Sequence, residues 1–230
     1  MSKRFSPVMT ASLSLSFATG LYGISFGALA LAAGLNTWQA MVLSLLMFTG
    51  GSQFAFIGVL ATGGTGAAAT GSAALLFTRN AIYGAQMNLR VRPSARSTLL
   101  AAHVTIDESA GLATLQDSPD QQRTAFWWTG IGVFVCWNAF TFVGTQLGER
   151  VDPQAWGLDG AAVAAFVALL WPRIKNRDHA AVAVLGAFVT LMLIPAVPAG
   201  VPIILAAAVS AAAGWALASK HESRNAGKAS

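Results

Sequence analysis

Charge is scarce in this chain. Only 10% of its 230 residues are Asp, Glu, Lys or Arg, against about 25% in an ordinary soluble domain. A soluble fold of this size could not hide the remaining apolar surface. Cysteine is almost absent. Cys136 stands alone inside an apolar run, so an intrachain disulfide is excluded and the redox compartment is unreadable. There is no GxSxG, no HExxH and no phosphate-cradling glycine loop. The only enzymatic option left is an intramembrane hydrolase using Ser52 or Ser109 with His103.

What the chain does have is hydrophobicity: 55% of its residues are hydrophobic, and the mean hydropathy is +0.59. These values point to an all-α polytopic membrane protein. Spans of about 20 apolar residues are expected near 7–33, 38–62, 66–90, 98–116, 124–148, 158–172, 180–197 and 199–218. That makes six to eight membrane segments, some broken or re-entrant. Residues 1–218 read as a single transmembrane transporter domain, and 219–230 as a polar, disordered cytoplasmic tail. The start, "MSKRFSPVMTASLSLSFATG", mimics a signal peptide. Its apolar stretch runs on to Gly34, so it reads as a retained first segment.

The net charge of +5 does not indicate nucleic acid. Lys3 and Arg4, the Arg90–Arg92–Arg96 group, the Arg173–Lys175–Arg177 group and the tail residues Lys220, Arg224 and Lys228 all flank apolar runs. That is the positive-inside pattern, with none of the interleaved aromatics of a nucleic-acid groove. Eight full crossings from an inside N-terminus would put "RVRPSAR" outside. The conflict vanishes if neither 66–90 nor 98–116 crosses fully, an arrangement allowed where protein or a water cavity surrounds the backbone. Trp38 and Trp156 fit an interfacial belt; Trp127, Trp128 and Trp137 fit either a belt or packing. Gly20, Gly23, Gly27 and the pair Gly144 and Gly148 fit close helix packing.

Three stretches carry candidate chemistry. In "TGGSQ", residues 49–53, adjacent glycines weaken the helix by about 1 kcal/mol each. A break at Gly50 and Gly51 would let the N–H groups around Ser52, Gln53 and Phe54 open a half-helix suited to a carboxylate. The competing reading is a packing groove with Gln53 bonded to a neighbouring helix. In 72–91, helical spacing lines up Ser72, Arg79, Tyr83, Gln86 and Arg90, with Asn80 and Gly84 beside them. An arginine at mid-membrane needs a partner, either as a structural salt bridge or as an anion-facing group. In 103–114, His103, Asp107, Gly111 and Thr114 share one helical face, with Glu108 next to it. Asp107 and Glu108 are the natural partners of Arg79, or proton-coupling acids. His103 and Asp107 alone fall short of a zinc site, so no metal and no cofactor is expected.

Taken in order, "GLYGISFGALALAAGL", "FTGGSQFAFIGVL", "TRNAIYGAQMNLR" and "IDES" resemble the AzlC family, the large subunit of branched-chain amino acid exporters, over roughly residues 7–215. The resemblance implies an inner-membrane exporter of hydrophobic L-amino acids, working with a separate small AzlD-type multi-span subunit. It places substrate binding at Gly50, Gly51, Ser52, Gln53, Arg79, Asn80 and Tyr83. It makes Asp107 and Glu108 the coupling or charge pair, with His103 close by. Phe77 stands where the family pattern has asparagine, which implies an altered polar cluster or substrate preference. The expected mechanism is export linked to the proton gradient or driven by the amino acid's own gradient, with Phe54, Phe56 and Phe77 lining a side-chain pocket. The alternatives are a non-transporting scaffold or assembly subunit, a channel, or a membrane enzyme.

Overall fold

The computed structural model describes residues 6–150, 155, 157, 167, 170, 171, 174–198 and 200–229, with side chains to residue 220. Every regular element among them is a helix: α1 (Pro7–Ala32), α2 (Thr37–Leu46), α3 (Gly51–Ala61), α4 (Gly66–Val91), α5 (Thr98–His103), α6 (Asp107–Thr114), α7 (Pro119–Gly148), α8 (Arg177–Leu193) and α9 (Val201–Ala229). All of the expected segment at 158–172 except residues 167, 170 and 171 lies outside the described residues, as do Lys3, Arg4, Trp156 and Arg173. The backbone of the tail, for which the sequence suggests disorder, continues α9 to Ala229.

Local signals set the helix starts. Ser6 and Ser118 cap α1 and α7 by accepting the N–H groups of Met9 and Gln121, both at 3.3 Å, and a proline follows each cap at the first helical position. Asn36 and Gln39 form a reciprocal capping box at α2, with both bonds at 2.9 Å. Thr65 caps α4 by accepting from Ala68 at 3.2 Å.

By length and apolarity, α1, α7 and the first 20 residues of α9 can each cross a bilayer; α2 and α3 are shorter apolar helices. The expected spans at 38–62 and 98–116 are not single helices. Each is a pair of half-helices, α2 with α3 and α5 with α6.

α1 and α7 form the closest pairing. A methyl group at Gly23 would lie 2.6 Å from the Trp137 carbonyl oxygen, one at Gly20 would meet Cys136 Cβ at 2.5 Å, and one at Gly27 would collide with the Thr141 carbonyl. From the other side, Gly144 faces the Ile24 carbonyl and Gly148 the Ala28 backbone. The glycines of both helices therefore serve close packing. A hydroxyl adds to this seam, Ser16 Oγ donating to the Thr129 carbonyl of α7 at 3.4 Å, and Ser44 Oγ ties α2 to α7 by donating to Thr141 Oγ1 at 3.4 Å.

Against this pair lie two apolar clusters. Phe26, Phe48, Phe54, Ile106, Val133 and Trp137 bring α1, α3, α7 and both chain breaks together. Met87, Val91, Ala101, Val104 and Phe126 join the end of α4 to α5 and α7. α8 packs on α9 and buries no residue. The start of α9 is tied to α4 where Ser72 Oγ donates to the Gly200 carbonyl at 3.3 Å.

Candidate functional site

The first break comes after α2. Gly50 takes φ +56°, a left-handed conformation that glycine enters without a Cβ penalty, and α3 starts at Gly51. The Gln53 side chain stitches the break. Its Oε1 accepts the Gly50 N–H at 3.1 Å, and its Nε2 donates to the Leu43 carbonyl of α2 at 3.4 Å. The first bond of α3 runs from the Phe54 N–H to the Gly50 carbonyl at 3.1 Å. The N–H groups of Gly51, Ser52 and Gln53 thus open the helix with no intrahelical acceptor.

The second break, Val104–Ile106, separates α5 from α6. Ser109 performs the corresponding stitch. Its hydroxyl accepts the Ile106 N–H at 3.0 Å and donates to the Val104 carbonyl at 2.7 Å. Asn80 of α4 braces the linker, its Nδ2 donating to the Thr105 carbonyl at 3.0 Å. The break corrects the single helical face expected for His103, Asp107, Gly111 and Thr114. His103 ends one helix and Asp107 begins the next. The His103 ring sits among aromatics, with centroids 6.0 Å from Phe48 and 5.3 Å from Phe134.

Both breaks open onto one cavity of about 220 Å³. This lies below the roughly 300–1,000 Å³ of drug-sized pockets and suits a small metabolite. Its charged wall is Arg79, Asp107 and Glu108; its polar wall is Thr19, Tyr22, Thr49, Gly50 and Gly51. Leu15, Phe48, Phe54, Ile106, Val133 and Trp137 form the apolar wall. Arg79 Nη1 pairs with Asp107 Oδ2 at 2.7 Å, with side chains 31% and 10% exposed. Its other terminal nitrogen, Nη2, lies 2.9 Å from where a Cβ on Gly51 would stand. Glycine at 51 is what lets the guanidinium come up to the N-terminus of α3. Two positive features, the guanidinium and the α3 dipole, therefore meet at one point and favour an anion.

Of the residues expected at the site, Gly50, Gly51, Arg79, Asp107 and Glu108 line the cavity together. The others stand back. Gln53 is fully buried, its side-chain amide engaged in the stitch. Asn80 holds the second break. Tyr83 packs on the α4–α5–α7 cluster, and His103 stays among its aromatics. Phe54 lines the cavity, whereas Phe56 and Phe77 line a separate apolar groove with Trp38, Val42 and Leu46. Among the described residues, no group of three His, Cys, Asp or Glu could hold a metal.

Sequence reasoning missed Tyr22 and Trp137. Trp137 is 4% exposed, stacks on Phe26 at 6.2 Å and meets Phe54 edge-on at 6.3 Å. Of the two readings offered for it, packing holds and the belt does not. Three buried polar atoms of lining residues lack a hydrogen-bond partner, Thr49 Oγ1, Arg79 Nε and Trp137 Nε1; Ser52, expected at the site, is fully buried and not among the lining residues, its Oγ also without a partner. Ser12 Oγ, Asn80 Oδ1, Thr129 Oγ1 and Asn138 Oδ1, away from the cavity lining, lack one as well.

Residues 14–151 match the family described as AzlC protein. No curated protein and no solved structure matches the chain. The match covers more than half of the chain and includes both breaks, Arg79 and the acid pair, and the chain belongs to the AzlC family.

Proposed function

From that membership, we propose that the chain is the large subunit of an inner-membrane exporter of branched-chain and other hydrophobic L-amino acids, proton-linked and working with a small AzlD-type subunit. The family is associated with membrane transport rather than catalysis. The observation that carries the finer reading is the convergence on one cavity of an anion-favouring end, an acidic end and an apolar wall. A zwitterion with an apolar side chain needs these three parts.

The substrate carboxylate lies at the opening N–H groups of α3 beside Arg79, which supply charge-assisted hydrogen bonds. The ammonium lies at the Asp107–Glu108 end. The apolar side chain rests against Phe48, Phe54 and Ile106. Discontinuous helices place sites of this kind near the bilayer midplane.

The test is cellular. Cells producing the chain with its small partner should resist toxic leucine analogues and release valine or leucine under peptide loading. Unchanged intracellular pools would overturn the proposal.

A further inference from the structure

Resting on that reading, we infer that the two neighbouring acids divide the work: Asp107 positions Arg79, and Glu108 alone exchanges a proton for the substrate ammonium. The ion pair at 2.7 Å commits Asp107 Oδ2 to the guanidinium. Glu108 is the next residue of α6, lines the same cavity, and has no ion-pair partner among the described residues. The other charged or titratable side chains lining that cavity are Tyr22 from α1, Arg79 from α4 and Asp107 from α6; α3 and α7 contribute none. His103 of α5 is held between Phe48 and Phe134 and is not among the lining residues.

With Arg79 and Asp107 neutralising each other, an ionised Glu108 leaves the cavity one negative charge in excess. A charge in such surroundings must be compensated, and only a proton or an incoming cation can do so. The cavity also points to a guest independently of its acids. Thr49 Oγ1 and Trp137 Nε1 are without partners in side chains that are 8% and 4% exposed and line it.

The exchange is simple and balanced. With the cavity open to the side where amino acid is abundant, the Glu108 carboxyl releases its proton to water as the ammonium arrives. The resulting carboxylate then accepts hydrogen bonds from that ammonium. On the other side the amino acid leaves, and a proton from water returns to the carboxylate. One proton therefore crosses in the opposite direction for each amino acid carried.

The test uses the full chain, produced with a small AzlD-type subunit and placed in lipid nanodiscs. The probes are L-leucine and 4-methylpentanoate, which is leucine without its amino group. In the unaltered protein, L-leucine should release about one proton per molecule bound, read by titration calorimetry in buffers of different ionisation heat, and should bind more tightly as pH rises. In Glu108→Gln, proton release should vanish and L-leucine affinity should fall about tenfold or more. Affinity for 4-methylpentanoate should be unchanged, which shows that the variant is folded.

Asp107→Asn should weaken both ligands, because Arg79 is no longer held, yet keep proton release. Glu108→Asp should restore part of the release. Proton release retained in Glu108→Gln, or abolished in Asp107→Asn, would overturn the division. So would loss of both ligands in Glu108→Gln, since Glu108 would then be structural. If the unaltered protein binds neither probe, the exporter reading itself falls. That result is distinct from binding whose proton release ignores Glu108.

Discussion

The breaks at Gly50 and at Val104–Ile106 are stitched alike. In each, the third residue of the new half-helix accepts the cap N–H and donates back across the gap: Gln53 to the Leu43 carbonyl, Ser109 to the Val104 carbonyl. They differ in the two residues directly after the cap. α3 opens with Gly51 and Ser52, uncharged and close to Arg79. α6 opens with Asp107 and Glu108, carboxylates that its own dipole favours. A half-helix can offer its N–H groups to a substrate anion only where the chain supplies no acid of its own. On the proposed function, α3 is therefore the end assigned to the substrate carboxylate, and α6 is the end already provided with one.

The comparison can be broken most strongly at Arg79. Arg79→Ala takes the guanidinium from a carboxylate that is 10% exposed, and removal of one partner from a buried pair costs roughly 3 kcal/mol. A thermal unfolding series in nanodiscs should show the loss, and Arg79→Gln with Asp107→Asn should recover part of it. Gly51→Asp makes the two breaks alike by giving α3 its own acid. L-leucine affinity should then fall about 100-fold, near 2.7 kcal/mol, both from the added charge and because a Cβ at 51, 2.9 Å from Arg79 Nη2, moves the flexible guanidinium aside; circular dichroism checks that the variant stays folded. Affinity within about twofold of the unaltered protein would refute the assignment of the two ends.

Removing the stitches tests their equivalence. Gln53→Ala and Ser109→Ala should each destabilise by about 1–3 kcal/mol through stranded backbone groups, and amide exchange at Gly50 and Ile106, respectively, should accelerate. If one variant is silent while the other is damaging, the stitches are not equivalent. The smallest effect belongs to Ser52→Ala. Its hydroxyl is fully buried and partnerless, so losing it should leave stability within about 0.5 kcal/mol. A larger drop would reveal a partner such as bound water.

The first break is legible because two glycines and a serine interrupt an apolar run, a composition with few other readings in a membrane span. The second is hidden. Val104, Thr105 and Ile106 resemble any apolar stretch, and no glycine or proline marks the gap. The signal, visible in hindsight, is "DES" straight after three β-branched residues, acids and a hydroxyl in the composition of a first helical turn. The pairing of Arg79 with an acid stems from the cost of an isolated charge in lipid, and the structure selects Asp107. For Gln53 the sequence leaves two readings open, a substrate group and a bond to a neighbouring helix, and the second is seen in its bond to the Leu43 carbonyl of α2, because a sequence shows a side chain's capacity to bond but not its partner. Here the nearest need is the chain's own broken backbone. Trp137 and Tyr22 were invisible as cavity residues because that role depends on how α1 and α7 pack against the breaks.

The glycine seam between α1 and α7 has a mechanical consequence. Helices that touch backbone to backbone have no side-chain cushion to compress, so on the proposed transport reading this pair is the stator. On the same reading, changes of access fall to the half-helices and α4, which are held by side-chain packing, single hydrogen bonds and one ion pair rather than by a backbone-to-backbone seam. Spin labels on the exposed outer faces, at Leu21 and Val135, should report a fixed separation through the whole transport cycle, while distances from either label to α4 change.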